Sequence, residues 1–512
     1  MTGDFRSRIA CVGVLALLAL RASAATPASS SPGIFEADQD IGTVLHPGSL
    51  QYDPVRQTYT VSGSGNNMWI GEDDFHFVWK KIVDARDLAL TADIAFIGST
   101  GNEHRKAVLM IRQTLAANSP YVDVAVHGNG LTSLQFRHAA GADTHEVESY
   151  VSGPQRVRIE KRGDRFYAFV SGKDGNLEPA GAATQLALSA PFYVGIGVCS
   201  HDKDVTERAI FSRVSLEDLP AAGKTVLYSV LETVNAASTD RRVQYLAPAH
   251  FEAPNWSRDG SLLLFNQDGK IYRLALDGSA PVLVPTGPED HCNNDHGISP
   301  DGRTIAISVQ SGAGHLSSIF VVPFDGGTPR KITENSPSYW HGWSPDGSTL
   351  AFTGQRDGNF DIYTIPVTGG QETRLTTAPG LDDGPEYSPD GQFIYFNSER
   401  TGRMQIWRMK ADGSDQEKVL SDETNDWFPH ISPDGKWMVF LSYDRSVTGH
   451  PPDKDVVLNL MSMSDKTVHL LATLFGGQGT INVPSWSPNS QRLAFVSYEY
   501  LPEEDRLSLT RP

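Results

Sequence analysis

The chain has 512 residues, enough for several domains at roughly 150 residues each. Its 43 Lys and Arg against 61 Asp and Glu leave a formal net charge of −18, which excludes the basic face that nucleic-acid binding needs and weighs against docking on an anionic membrane. Hydrophobic residues make up 39% and charged residues 20%, the balance of a folded chain, and 47 Gly with 31 Pro suit short strands joined by turns.

The N-terminus reads as an export signal. Arg6 and Arg8 precede the apolar run 9–20, and Ala22-Ser23-Ala24 offers small residues for cleavage. The run is shorter than the roughly 20 residues a membrane-spanning helix needs. Residues 1–24 are therefore expected to be removed and 25–32 to form a Ser/Pro-rich linker. The mature chain is placed in the periplasm or outside the cell, with no membrane insertion. Cys11 stands before most of the apolar run, so lipid attachment is not expected. Signal removal leaves Cys199 and Cys292, which fall in different predicted domains, and no disulfide is expected between them.

Residues 33–218 read as an antiparallel β-sandwich. Val122, Val124 and Val126 alternate along 121–127, 156–160 alternates likewise, and Gly163-Asp164 turns the chain back into 166–170. Arg162-Gly163-Asp164 spells an adhesion tripeptide, but a hairpin turn accounts for it. The stretches Asn66-Asn67-Met68-Trp69, Phe75-His76-Phe77-Val78-Trp79-Lys80 and Tyr193-Val194-Gly195-Ile196-Gly197 resemble the concanavalin A/laminin-G-like superfamily, in particular its DUF1349-type branch. That resemblance implies a jelly-roll shape and carbohydrate contact, without defined ligand residues.

Residues 224–512 carry an internal repeat. A Ser-Pro-Asp-Gly turn or a close variant recurs at Ser257, Ser299, Ser344, Ser388, Ser432 and Ser487, spaced 42 to 45 residues apart and then 55. Pro at the second turn position and Gly at the fourth fit a tight turn, and each copy leads into a β-rich run. The period is that of four strands per propeller blade. The chain stops soon after the sixth motif, whereas the strand patterns 226–234 and 241–246 stand unpaired before the first. A six-bladed ring closed by these strands is expected, with no long open edge. The repeats resemble the TolB-like propeller family, with its Trp-Ser-Pro-Asp-Gly signature and following Ile-Tyr-type strand. The predicted fold class is thus all-β, a jelly-roll sandwich followed by a six-bladed propeller.

Several other patterns carry no chemistry. Gly223-Lys224-Thr225 lacks the first glycine of a phosphate loop, since Asp218 holds that place, and His145-Glu146 lacks the second histidine of a zinc-protease helix. No Gly-x-Ser-x-Gly elbow is present. Asp301, Asp346, Asp390 and Asp434 belong to the repeated turns.

The segments just before each motif are richer, because they lead into the innermost strands around the channel. The candidate ligand-binding set there is Asp295, His296, Trp340, His341, Asp382, Asp383, Glu386, Asn425, Asp426, Trp427 and His430, with the two tryptophans as stacking surfaces. Carboxylates, amides and aromatic faces are what a carbohydrate or peptide pocket requires. His296, His341, Glu386 and His430 could instead share a divalent cation such as Mn²⁺, Zn²⁺ or Ca²⁺. The histidines could also simply bond neighbouring blades. Two functions follow: an exported binding protein, or a metal-assisted carbohydrate-active enzyme, as in the similar oligogalacturonate lyase propellers (a lyase or glycosidase). A scaffold without a ligand is the third. The TolB resemblance implies Tol–Pal partners, but the sandwich stands where TolB carries an α/β domain, and this departure weighs against them.

Overall fold

A computed structural model describes residue 1 and residues 32–503, apart from 222, 312, 313, 315 and 421. The expected signal and most of the linker lie outside the described residues. Every element of three residues or more is a strand, and among the described residues no helix is long and apolar enough to cross a membrane.

Residues 37–218 supply two antiparallel sheets. One holds seven strands, from Leu177–Gln185 at one edge through Arg165–Ser171, Arg156–Arg162 and Leu88–Phe96 to Ser49–Asp53 at the other. The second runs from Ala37–Ile41 through Phe75–Ile82, Phe192–Cys199, Lys106–Arg112, Tyr121–His127 and Thr132–Arg137 to His145–Glu148. Alternation decides the faces. Val122, Val124 and Val126 enter a core shared by both sheets, with Leu90, Leu109, Ile159 and Phe211. Their neighbours Tyr121 and Ala125 pack on the opposite face with Phe75 and Met110. There Asp73 is fully buried between Arg112, at 3.2 Å, and Arg137, at 2.7 Å. Removing one member would leave an uncompensated buried charge. Residues 162–165 form a hairpin turn, as expected, with Arg162 paired to Arg165. Cys199 and Cys292 are both free and buried.

The repeats build blades. Each motif serine accepts a bond from the backbone and passes its hydroxyl hydrogen to the turn side chain two residues on: Ser299 Oγ to Asp301 at 2.6 Å, Ser344 to Asp346 at 2.6 Å, Ser432 to Asp434 at 2.7 Å, and Ser487 to the amide oxygen of Asn489 at 2.8 Å. The turn aspartates are thereby accounted for as structural residues. Motif tryptophans tie blades together, since Trp343 Nε1 donates to the Gly297 carbonyl at 3.1 Å and Trp486 Nε1 to that of His430 at 3.0 Å.

Among the described residues five four-stranded sheets stand as blades, which corrects the expectation of six. The remaining strands do not form a sheet of their own. Thr225–Asn235 lies antiparallel to Arg492–Pro502 over its whole length and also pairs with Arg241–Ala247. Arg241 and Arg242 then pair in parallel with Val147 and Glu148. The closing strands and the second N-terminal sheet therefore merge into one ten-stranded sheet.

This closure should govern stability. A fragment starting at residue 250 leaves Arg492–Pro502 without its partner strand and should aggregate or melt well below a fragment starting at 224. Thermal unfolding and light scattering of the two would test this, and equal behaviour would contradict it.

Candidate functional site

The innermost strand of each blade carries an irregularity at the same place. Register shifts occur between Glu252 and Asn255, Cys292 and His296, Trp340 and Gly342, Asp383 and Glu386, and Trp427 and His430. Ala253, Gly384 and Phe428 adopt positive φ of 57°, 62° and 54° at these bulges. A bulge re-aims side chains on either side of it. Here it divides the channel. Side chains before or within the bulge, among them Glu252, Asn294, Asp295, His341, Asp383 and Phe428, line a cavity of about 660 Å³. The residues after it, Asn255, Gly342 and Glu386, line a smaller opening of about 250 Å³ walled by the motif tryptophans and prolines.

The larger cavity is acidic. Glu252, Asp268, Asp295 and Asp383 line it with three histidines, and neither Lys nor Arg is among its described lining residues. Asp383 sits at its centre, accepting bonds from Thr353 Oγ1 at 2.8 Å and its neighbour's backbone N–H at 2.8 Å. His341 Nε2 lies 3.2 Å from Asp383, and His450 Nε2 lies 3.8 Å away. Burial opposes charge on both partners, but each outweighs it for the other. Asp383 is held well below the usual carboxylate range by His341, and Asp295 and Asp383 raise His341. The pair is ionic. Asp295 behaves oppositely, for burial pushes its carboxyl up to about 7 although His341 pulls it down. Phe428 stacks 6.3 Å from His341 and meets His450 edge-on at 5.3 Å, so an aromatic wall adjoins the charged pair.

The expected residues divide accordingly. Asp295, His341 and Asp383 come together. His296 is fully buried, and burial lowers it to about 4. Trp340 is 1% exposed and packs with Trp343, its indole edge filling the space above Gly297, so it offers no stacking face to the larger cavity. Asp382, one residue from Asp383 on the alternating strand, turns the other way and binds Arg400 at 2.7 Å. Glu386 and His430 follow the bulge and pair with each other at 2.5 Å. Asn425 donates to the Val447 carbonyl at 2.9 Å, and Asp426 accepts from Ser442 at 2.7 Å. Trp427 is 1% exposed, with its ring 4.3 Å from that of His450. The four residues expected to share a metal thus occupy three places, and among the described residues no three His, Cys, Asp or Glu are grouped to hold one.

Other lining residues lay outside the sequence-derived set. Glu252 and Asn482 stand five residues before their motif serines, as do Asn294 and Asp383, so aligning the repeats by that offset would have found them. His450 and Gln478 come from irregular segments beside the fifth blade, where the repeat gives no signal.

The description TolB beta propeller domain (PD40) matches residues 336–463, the span containing the third to fifth motifs. The uncharacterized protein Atu1656 of Agrobacterium fabrum (strain C58) is 52% identical over 271 residues, which are 53% of this chain and 92% of that protein. The chain belongs to the TolB-like β-propeller family. A solved TolB-like structure from Agrobacterium tumefaciens superposes with a TM-score of 0.52 at 51% identity, over 54% of this chain and 99% of that one. The Tol-Pal system protein TolB of Francisella tularensis (strain WY96-3418) is 28% identical over 120 residues, and this chain spans only 27% of its length. Within the matched propeller segment lie His341, Asp383, Phe428 and His450 of the wall just described.

Asp295 gives this site a pH signature. Its folded value of about 7 lies above the ordinary 3.8, so between those values the folded state holds a proton the unfolded chain has lost. Stability should therefore fall as pH rises through that window. Asp295→Asn should flatten the fall, gaining on the parent by on the order of 2–4 kcal/mol between pH 4 and 7.5. Denaturant unfolding of both proteins at several pH values measures it, and parallel curves would contradict the assignment.

Proposed function

We propose that this chain is an exported TolB-like binding protein whose larger channel cavity takes up a carbohydrate or peptide ligand. The observation that carries the reading is the convergence of Glu252, Asn294, Asp383 and Asn482, from four segments of the ring, on one 660 Å³ space beside Tyr339, Phe360 and Phe428. Aromatic faces flanked by polar groups bind sugar rings and peptide side chains alike, and a volume of this size buries several residues of either. The His341–Asp383 pair fixes the orientation of hydrogen-bonding groups within it.

The finer architecture fits this reading. Residues 33–218 are taken as a concanavalin A/laminin-G-like sandwich of jelly-roll type, beside a ring of five four-stranded blades that Thr225–Asn235 and Arg492–Pro502 close. The N-terminal signal pattern and the TolB relatives support a periplasmic or secreted location. No Tol–Pal partner is proposed, because the two-sheet N-terminal unit departs from the TolB pattern. A divalent metal is left out of the reading as well, given the separation of His341 from the Glu386–His430 pair.

Screening the full chain on oligosaccharide and peptide arrays, then measuring hits by calorimetry, tests the proposal. His341→Ala and Asp383→Asn should each weaken binding at least about tenfold, the loss of one charge-assisted contact. Parent-like binding by both variants, or binding retained in full by fragment 33–218, would overturn it.

A further inference from the structure

A second cavity, of about 330 Å³, lies where the N-terminal unit meets the ring. Its walls are the hairpin Arg165–Ser171 and Leu177–Gln185, the outer strands Lys454–Ser462 and Val468–Gly476 of the fifth blade, and the closing strand Arg492–Pro502. It shares no lining residue with the channel cavity.

The charges around it balance except for one. Arg165 is paired with Asp455 at 2.9 Å, and its guanidinium lies 4.5 Å over the ring of Phe475. Arg241 grips Glu232 with two bonds of 2.9 and 2.8 Å, and Ser497 Oγ donates to the same carboxylate at 2.5 Å. His138 is pushed below its ordinary value by burial and by His145, which leaves it neutral near pH 7. Glu499 remains. It is 4% exposed, it lines the cavity, and no hydrogen bond reaches its carboxylate among the described residues. Burial and the neighbouring Glu232 push it up to about 8 against the pull of Arg241, whose own bonds go to Glu232. A buried carboxylate without a donor is costly to ionise, and one positive charge inside the cavity would relieve that cost.

We propose that this junction cavity binds an organic ammonium ion, with Glu499 as its counter-ion and Tyr167, Phe475 and Tyr500 as its apolar walls. A bare divalent cation fits less well, because a single free carboxylate falls short of the six or more oxygens a hard cation takes. Aromatic walls, by contrast, suit alkyl ammonium groups. A bound amine touches the N-terminal hairpin, the fifth blade and the closing strand together, so it would fasten the two units to each other. On binding, Glu499 gives up its proton to solvent and the ammonium keeps its own.

Calorimetry and thermal unfolding of the full chain with putrescine, and with 1,4-butanediol as its uncharged analogue, test the site at pH 7 and constant ionic strength. Putrescine should bind and raise the melting temperature, and butanediol should do neither. Glu499→Gln should weaken putrescine at least tenfold. Thr473→Trp, at an exposed position on the cavity rim, should block entry without altering the carboxylate, so it serves if Glu499→Gln folds poorly. Absence of putrescine binding, an equal response to butanediol, or binding by both variants within twofold of the parent would overturn the proposal.

Discussion

The antiparallel pairing of Thr225–Asn235 with Arg492–Pro502 is the constraint on which the rest depends. Residues more than 250 apart in sequence are joined there by eleven consecutive pairs, to which single bonds such as Ala253 N–H to the Gly479 carbonyl at 2.7 Å are added. Closure brings Asn482 beside Glu252 and lets Trp486 reach back to His430. It also carries the N-terminal unit with it, because Arg241–Ala247 passes the sheet on to His145–Glu148. Both cavities are consequences. One is the space the closed ring surrounds, and the other is the gap where the closing strand meets the N-terminal hairpin.

Within the ring, chemistry is sorted by the bulges. A regular strand would show its side chains to the channel at every second position down its whole length. The bulge interrupts that alternation and leaves Glu252, Asp295 and Asp383 on one side and the tryptophan-and-proline floor, with Glu386, on the other. The acidic side then sorts itself again by partner. Asp383 is held below the usual carboxylate range because His341 stands against it, whereas burial pushes the carboxyl of Asp295 up to about 7. The cavity can therefore offer a ligand both a hydrogen-bond acceptor and a donor from the same residue type.

Much of the fold was legible in the sequence because the repeated turn encodes its own geometry. Ser, Asp and Gly each have a local task in it, and six copies give the period directly. Closure was legible too, through the unpaired strands before the first motif. The merging of the closing strands with the N-terminal sheet was not, since the parallel contact of Arg241 and Arg242 with Val147 and Glu148 is two residues long and leaves no local pattern. The site was legible only in part. Asp382 and Asp383 look equivalent in sequence, yet one binds Arg400 inside the blade and the other faces the cavity. Glu386 and His430 were grouped with His341 because the bulge between them has no residue signature. His450 lies outside the repeat altogether.

The central claim is that one side of the bulges binds ligand and the other is structural. Site-directed blocking tests it most directly. In a Cys292→Ser background, since Cys292 lines the larger cavity, a single cysteine in place of Phe360, in that cavity, or of Pro389, at the opposite opening, can be coupled to a bulky maleimide, Cys199 being buried in the N-terminal unit. Coupling at position 360 should abolish binding of a ligand found on the arrays, and coupling at 389 should leave it unchanged. The reverse pattern, or loss at neither position, would contradict the account.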